Sequence, residues 1–196
     1  MKAYIILGNT RAVSNTEALT NIFAEALAAK GIDVSKVFLR EKNIHTCVGC
    51  DKCHSVTGSF GCAIKDDMQE IANEILASDL TVLASDLIVF ASPIYTWMPT
   101  PPLKAVMDRI YAFTKYPENA ENFNLLKTQK FAMIATSGDD CTKNCDLFDE
   151  SMRRMANFAK IPYLGYLAAK DYGDGNIARQ EVINEAQEFA NICVNT

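Results

Sequence analysis

The chain has no run of lysine and arginine, and its 24 acidic residues outnumber the 19 basic ones to leave a formal charge of −5. Nucleic acid and anionic membranes are bound through basic faces, so neither is an expected partner. No apolar stretch approaches the ~20 residues that cross a bilayer. Met1-Lys2 leads directly into a strand pattern rather than a leader, and a cytoplasmic location is expected. The sequence has no G-x-G-x-x-G and no G-x-x-x-x-G-K-[ST], the signals of a dinucleotide pyrophosphate turn and an NTP cradle. No cysteine has arginine six positions on, which removes a thiolate phosphatase loop. The third strand ends in Ala91-Ser92, so the phospho-acceptor aspartate of a response regulator is missing too.

What is present reads as one α/β domain. The 196 residues are 49% hydrophobic, enough to bury one good core. Tyr4-Ile5-Ile6-Leu7, Leu87-Ile88-Val89-Phe90 and Phe131 to Ala135 are continuous apolar runs, as expected of strands buried on both faces. Val34 to Leu39 alternates and carries Lys36, which suits an edge strand, and Tyr163 to Ala169 is a fifth. Between them lie amphipathic stripes such as Leu19, Ile22, Phe23, Ala26 and Leu27, and Leu103, Val106, Met107 and Ile110. Further helices are expected from about Asp66, from Cys145 to Lys160 and from Asn176 to Cys193. Alternating strands and helices predict a parallel sheet covered on both sides. Leu-Ala-Ser-Asp-Leu at 76–80 recurs at 83–87, a local duplication of two helical turns.

In such a sheet, ligands bind outside the carboxyl ends of the strands. Three polar segments follow strands here. Gly8 to Thr16 runs into a helix whose start is marked by a Ser14-x-x-Glu17 capping box, an arrangement that favours an anion. Thr10, Ser14, Asn15 and Thr16 offer side-chain donors and Arg11 a charge, which suits the terminal phosphate of a mononucleotide. Ala91 to Thr100 holds Pro93, Ile94, Tyr95, Thr96 and the sole tryptophan, Trp97, a rigid aromatic loop suited to a flat heteroaromatic ring. Thr100 is expected to cap the helix that Pro101 opens. Thr136-Ser137-Gly138-Asp139-Asp140 is the third. Residues 113–127 are irregular and read as a lid or an oligomer contact.

Four of seven cysteines fall in Cys47-x2-Cys50-x2-Cys53-x8-Cys62. Three thiolates at this density can converge on one centre, with Cys62 closing the set from a loop containing Gly58 and Gly61. A [4Fe–4S] cluster, tetrahedral zinc, or free redox-active thiols are the three readings. His54 reads as a loop histidine facing solvent. Cys141, Cys145 and Cys193 read as packing residues. Asp67 and Glu70 read as a second capping box.

Gly8-Asn9-Thr10-Arg11 through Ser14-Asn15-Thr16, Ala91-Ser92-Pro93-Ile94-Tyr95, and the cysteine cluster followed by Asp66-Asp67-Met68 resemble the flavodoxin-like NAD(P)H-dependent FMN reductases, and within them the iron–sulfur flavoproteins. The resemblance runs to about residue 170. It implies a flavodoxin-like, doubly wound, five-stranded parallel sheet of order 2-1-3-4-5, with a cysteine-rich insertion at about 44–62 in a single FMN-binding domain spanning 1–196. Arg11, Ser14, Asn15 and Thr16 would hold the FMN phosphate. Asn9 and Thr10 depart from the usual Ser-Pro, and Thr10 can supply a hydroxyl in compensation. Pro93 to Trp97 would lie along the isoalloxazine, with Thr136, Ser137, Gly138 and Asp139 flanking its other side.

FMN carries its own redox chemistry, so no catalytic side chain is expected. NAD(P)H is the expected co-substrate and a quinone, free flavin or similar molecule the acceptor. The alternative is a relay of single electrons between protein partners through FMN and a [4Fe–4S] cluster held by Cys47, Cys50, Cys53 and Cys62. A homodimer or homotetramer is expected.

Overall fold

A computed structural model describes residues 1–76, 86–126, 128–172 and 176–195. The repeat at 76–87 lies largely outside these residues. Five parallel strands, β1 (Lys2–Leu7), β2 (Asp33–Phe38), β3 (Leu87–Tyr95), β7 (Lys130–Ser137) and β8 (Tyr163–Lys170), pair in the order β2-β1-β3-β7-β8. That is the expected 2-1-3-4-5 order. A sixth short strand, β4 (Met98–Pro99), folds back antiparallel on the end of β3.

The alternation within each central strand divides the apolar residues between two cores. On one face Tyr4, Ile6, Ile88, Phe90, Phe131 and Met133 meet α2 (Met68–Leu76), α3 (Pro101–Ile110) and α5 (Asp146–Ala159). On the other, Ile5, Leu7, Val89 and Ile134 meet α1 (Asn15–Ala28) and α6 (Gln180–Asn195), whose Phe23 and Phe189 rings lie 5.4 Å apart. Both faces of a central strand are therefore apolar, which is why its sequence reads as an unbroken run. β2 pairs on one side only and keeps Lys36 exposed, as an edge strand does.

Several local expectations change. The aromatic segment is not an open loop: β3 continues to Tyr95 and turns through Thr96 and Trp97, both at positive φ (50° and 61°), into β4. Two such residues fit a type I′ hairpin turn, where neither glycine nor asparagine eases the strain. Thr100 sits at the start of α3 but does not cap it; its hydroxyl donates to the Gly8 carbonyl at 2.6 Å. Asp67 accepts from the Asn43 N–H at 2.7 Å and Glu70 pairs with Lys42, so the capping box between them does not form. The cap of α2 comes instead from Asp66, which accepts from the Met68 N–H.

Residues 111–126 are more ordered than expected. A 3₁₀ turn over Tyr111–Phe113 leads into a small hairpin of β5 (Thr114–Lys115) and β6 (Phe123–Asn124). The Cys141–Asn144 turn, α4, precedes α5.

Candidate functional site

The first polar loop leaves β1 at Gly8. A Cβ there would lie 2.7 Å from both Leu103 Cβ and Thr100 Oγ1, so only glycine permits α3 to approach this closely. Asn9 is buried, and its amide donates to the Arg11 carbonyl at 2.8 Å and to Glu17 at 3.3 Å. Asn9 Oδ1 has no partner among the described residues, leaving a buried acceptor under the loop. Thr10 and Arg11 are exposed, while Ser14 caps α1 by accepting from the Glu17 N–H at 3.2 Å. Only that half of the capping box forms. The Glu17 carboxylate turns to Arg40, 3.0 Å away. The α1 start still presents the unpaired N–H groups of a helix N-terminus beside Asn15 and Thr16.

Side-chain contacts draw the three segments to one sheet edge. The Thr16 and Thr136 hydroxyls meet at 2.6 Å in a buried pair, and Thr10 Oγ1 lies 3.5 Å from the Tyr95 hydroxyl. Ser92 Oγ donates to the Pro93 carbonyl and accepts from the Thr100 N–H, fixing both legs of the β3–β4 hairpin. Tyr95, Thr96 and Trp97 remain exposed at its tip, with Pro93 and Ile94 half-buried behind them. Ser137 accepts from the Asp139 N–H across exposed Gly138, and Lys170 lies 3.0 Å from Asp139, holding that carboxyl below its ordinary range. Thus Asn9 to Thr16, Pro93 to Trp97 and Thr136 to Asp139 share one edge, with aromatic surface uncovered and two polar loops beside it.

Cys47, Cys50, Cys53 and Cys62 all line a second feature, a cavity of about 130 Å³ between the cysteine loop and α3. Cys47 and Cys50 are exposed, Cys53 and Cys62 half-buried. Among the described residues no three metal-ligating side chains are already drawn together as a metal-holding group. Thiols have no mutual attraction that would close such a set. Burial pushes the Cys53 thiol up, with Lys115 acting against it.

The cavity is lined or braced by residues that sequence reasoning did not single out. Arg109, 1% exposed, donates to Asp66 at 2.5 Å and to the Cys62 sulfur at 3.4 Å. Burial alone would raise Asp66, but the bonds from Arg109 and from the His45 and Met68 N–H groups outweigh it and hold the carboxyl below its usual range. Lys115 is fully buried and donates to the Cys53 and Phe60 carbonyls at 2.8 and 3.1 Å.

His54 is also buried, correcting the expected solvent-facing position. Its Nδ1 lies 2.7 Å from the Thr114 carbonyl and its ring packs edge-on against Tyr111 and Tyr116. Nothing in the local sequence signals Lys115, since Phe113 ends the 3₁₀ turn and β5 is only Thr114 and Lys115. Cys145 and Cys193 are packing residues as expected, while Cys141 is half-buried and its thiol is held down by a hydrogen bond from Cys145.

The parallel sheet in this order, with three polar segments gathered at the carboxyl edge, defines a flavodoxin-like protein. The chain belongs to the NADPH-dependent FMN reductase family, whose model matches residues 1–147. An iron–sulfur flavoprotein of Archaeoglobus fulgidus is 31% identical over 117 residues, covering 60% of this chain and 49% of the relative. An iron–sulfur flavoprotein of Methanocaldococcus jannaschii is 31% identical over 109 residues, covering 56% and 51%. The chain thus spans about half the length of these curated relatives.

Among solved structures, the fold is similar to NAD(P)H:quinone oxidoreductase from Methanothermobacter marburgensis, with a TM-score of 0.72 at 15% identity and 97% of each chain covered. It is also similar to an FMN-dependent NADH-azoreductase from Bacillus anthracis, with a TM-score of 0.63 at 18% identity, covering 99% of this chain and 98% of that one. Among the described residues no helix is long and apolar enough to cross a membrane.

Proposed function

We infer that this chain is an FMN-binding oxidoreductase that takes reducing equivalents from NAD(P)H and passes them to a quinone, flavin or similar small acceptor. The observation that carries this reading is the junction of three sheet-edge segments through Thr16–Thr136 and Thr10–Tyr95, which leaves Tyr95 and Trp97 uncovered beside a helix N-terminus. FMN fits these residues. Asn9 Oδ1 is a buried acceptor awaiting a donor, the α1 N-terminus with Arg11, Ser14, Asn15 and Thr16 suits its phosphate, and the exposed hairpin tip offers an aromatic wall.

When bound, FMN supplies hydride and electron chemistry, and the protein supplies position, exclusion of water and donors to the ring. Pro93 to Trp97 would border one side of the ring and Thr136 to Asp139 the other. No side chain here needs to act as a nucleophile or proton donor. In this reading residues 1–196 act as one flavin-binding domain that assembles as a homodimer or homotetramer and works in the cytoplasm, with the cysteine loop as an insertion.

A second reading, single-electron relay to a protein partner, is favoured by one specific observation: all four clustered cysteines line the same cavity. Four thiol donors, with two buried cations beside them, fit a [4Fe–4S] cluster, which would add one-electron steps to a two-electron flavin. The likeness to two iron–sulfur flavoproteins supports this reading.

Anaerobic purification with a visible spectrum and assays of iron, zinc and sulfide tests both. Flavin absorption without iron supports the hydride-transfer enzyme alone. Flavin with about four irons and four sulfides per chain supports the relay as well. A chain that takes up no FMN even when the cofactor is added refutes the central proposal.

A further inference from the structure

The two buried cations beside the cysteine cavity are provided for differently. Arg109 has the Asp66 carboxylate at 2.5 Å, and neither side chain is more than 1% exposed. Lys115 has only the carbonyls of Cys53 and Phe60, and no carboxylate pairs with it among the described residues. A carbonyl offers a dipole and not a counter-charge, and a full charge removed from water is costly unless one is near. Burial pushes the Lys115 ammonium below its ordinary value, and the ionisable groups that act against that are Cys53 and Cys62, two of the four thiols lining the cavity.

Lys115 does not itself line the cavity, and its surroundings hold it against the cysteine loop. Phe113, the last residue of the 3₁₀ turn before β5, packs against Phe60 of the cysteine loop with ring centroids 5.1 Å apart. The Tyr116 N–H donates to the His54 carbonyl at 3.2 Å. β5 is therefore laid along the loop, and Lys115 ties the backbone near its third cysteine to the backbone just before its fourth.

We propose that Lys115 is the resident counter-charge of the cysteine cavity, a positioning residue that holds the two ends of the loop and offsets the negative charge of four thiolates gathered on a metal centre. This rests on the cluster reading above. Four thiolates leave a [4Fe–4S] centre with net negative charge, which grows by one when a single electron enters from a low-potential donor; no bond or proton need move. A fixed cation in a poorly screened site favours the more negative form, so Lys115 raises the reduction potential.

The test uses the whole chain, reconstituted anaerobically with ferrous iron and sulfide and reduced by dithionite. Lys115→Met, Lys115→Gln and Lys115→Arg are compared by iron and sulfide per chain and by the reduced fraction at each potential, followed by electron paramagnetic resonance. Arg should titrate with the wild type. Met and Gln should load yet shift the reduced-to-oxidised ratio about tenfold toward the oxidised form at a fixed potential, roughly 59 mV for one electron. Gln keeps a donor for one carbonyl and serves where the Met variant does not fold.

Neutral variants that load and titrate with the wild type overturn the proposal while leaving the cluster reading intact. A wild type that takes up no iron or sulfide removes the cluster reading. Cobalt(II) alone then probes the thiolates. An affinity about tenfold lower in Lys115→Gln than in the wild type keeps Lys115 as the counter-charge, and equal affinity or no binding overturns it.

Discussion

At the sheet edge Thr16 and Thr136 meet as neutral hydroxyls at 2.6 Å, whereas beneath the cysteine loop Arg109 and Asp66 meet as ions. The edge segments are short, each leaving a buried strand, and they inherit their positions from the sheet. Residues 42–67 contain neither helix nor strand, and Arg109 and Lys115 hold that backbone from later in the chain. One site is a by-product of topology. The other has its shape brought to it by charges that the loop does not contain.

The largest effect should come from breaking that import. Arg109→Met leaves the Asp66 carboxylate buried and unpaired and should cost about 3–5 kcal/mol, read from the urea midpoint of unfolding. Arg109→Met with Asp66→Asn should recover part of the loss. Because the folded-state pKa of Asp66 lies below its unfolded value, ~3.9, the stability it contributes is fully present above that value. It is lost as pH falls through the lower folded pKa. Unfolding midpoints measured from pH 6 downward should fall more steeply below pH ~4 in the wild type than in Asp66→Asn.

At the sheet edge the strongest single disruption should be Gly8→Ala, which forces Leu103 and Thr100 away from the loop. A loss of about 1–3 kcal/mol in thermal or denaturant unfolding is expected, with weaker FMN uptake by fluorescence titration. Thr16→Val strands the Thr136 hydroxyl and should cost ~1–2 kcal/mol, and the Thr16→Val, Thr136→Val pair should cost less than twice that. Smallest is Ser14→Ala, about 1 kcal/mol for one lost cap, measured by the same unfolding curves. Edge variants that altered iron or cobalt binding by the cysteines would erase the contrast between the two regions.

The same contrast governs how much could be read in advance. The unbroken runs at Tyr4 to Leu7 and Leu87 to Phe90 announce central strands, and strand–helix alternation then orders the sheet. Ser14 announces the start of α1 because a cap acts over three residues. Thr100 did not follow that rule, since the Gly8 carbonyl just past β1 offered a better partner than the helix it begins. The positive φ of Thr96 and Trp97 has no glycine or asparagine to betray it, so the hairpin was hidden. The burial of His54, Arg109 and Lys115 was missed because it depends on contacts 43 to 64 residues away in sequence. Local periodicity reports on neighbours, and these partners are not neighbours.

The clamp on the cysteine loop also bears on biosynthesis. Cys47 to Cys62 leave the ribosome before Arg109 and Lys115 exist, so the nascent thiols pass through a period without the residues that shape their cavity. Domains fold as units once their segments are made, and this loop can settle only after α3 and β5 dock on it. The finished cavity is accordingly unavailable to a metal until residues 101–115 have been made and docked, and before then the same thiols stand open to oxidation.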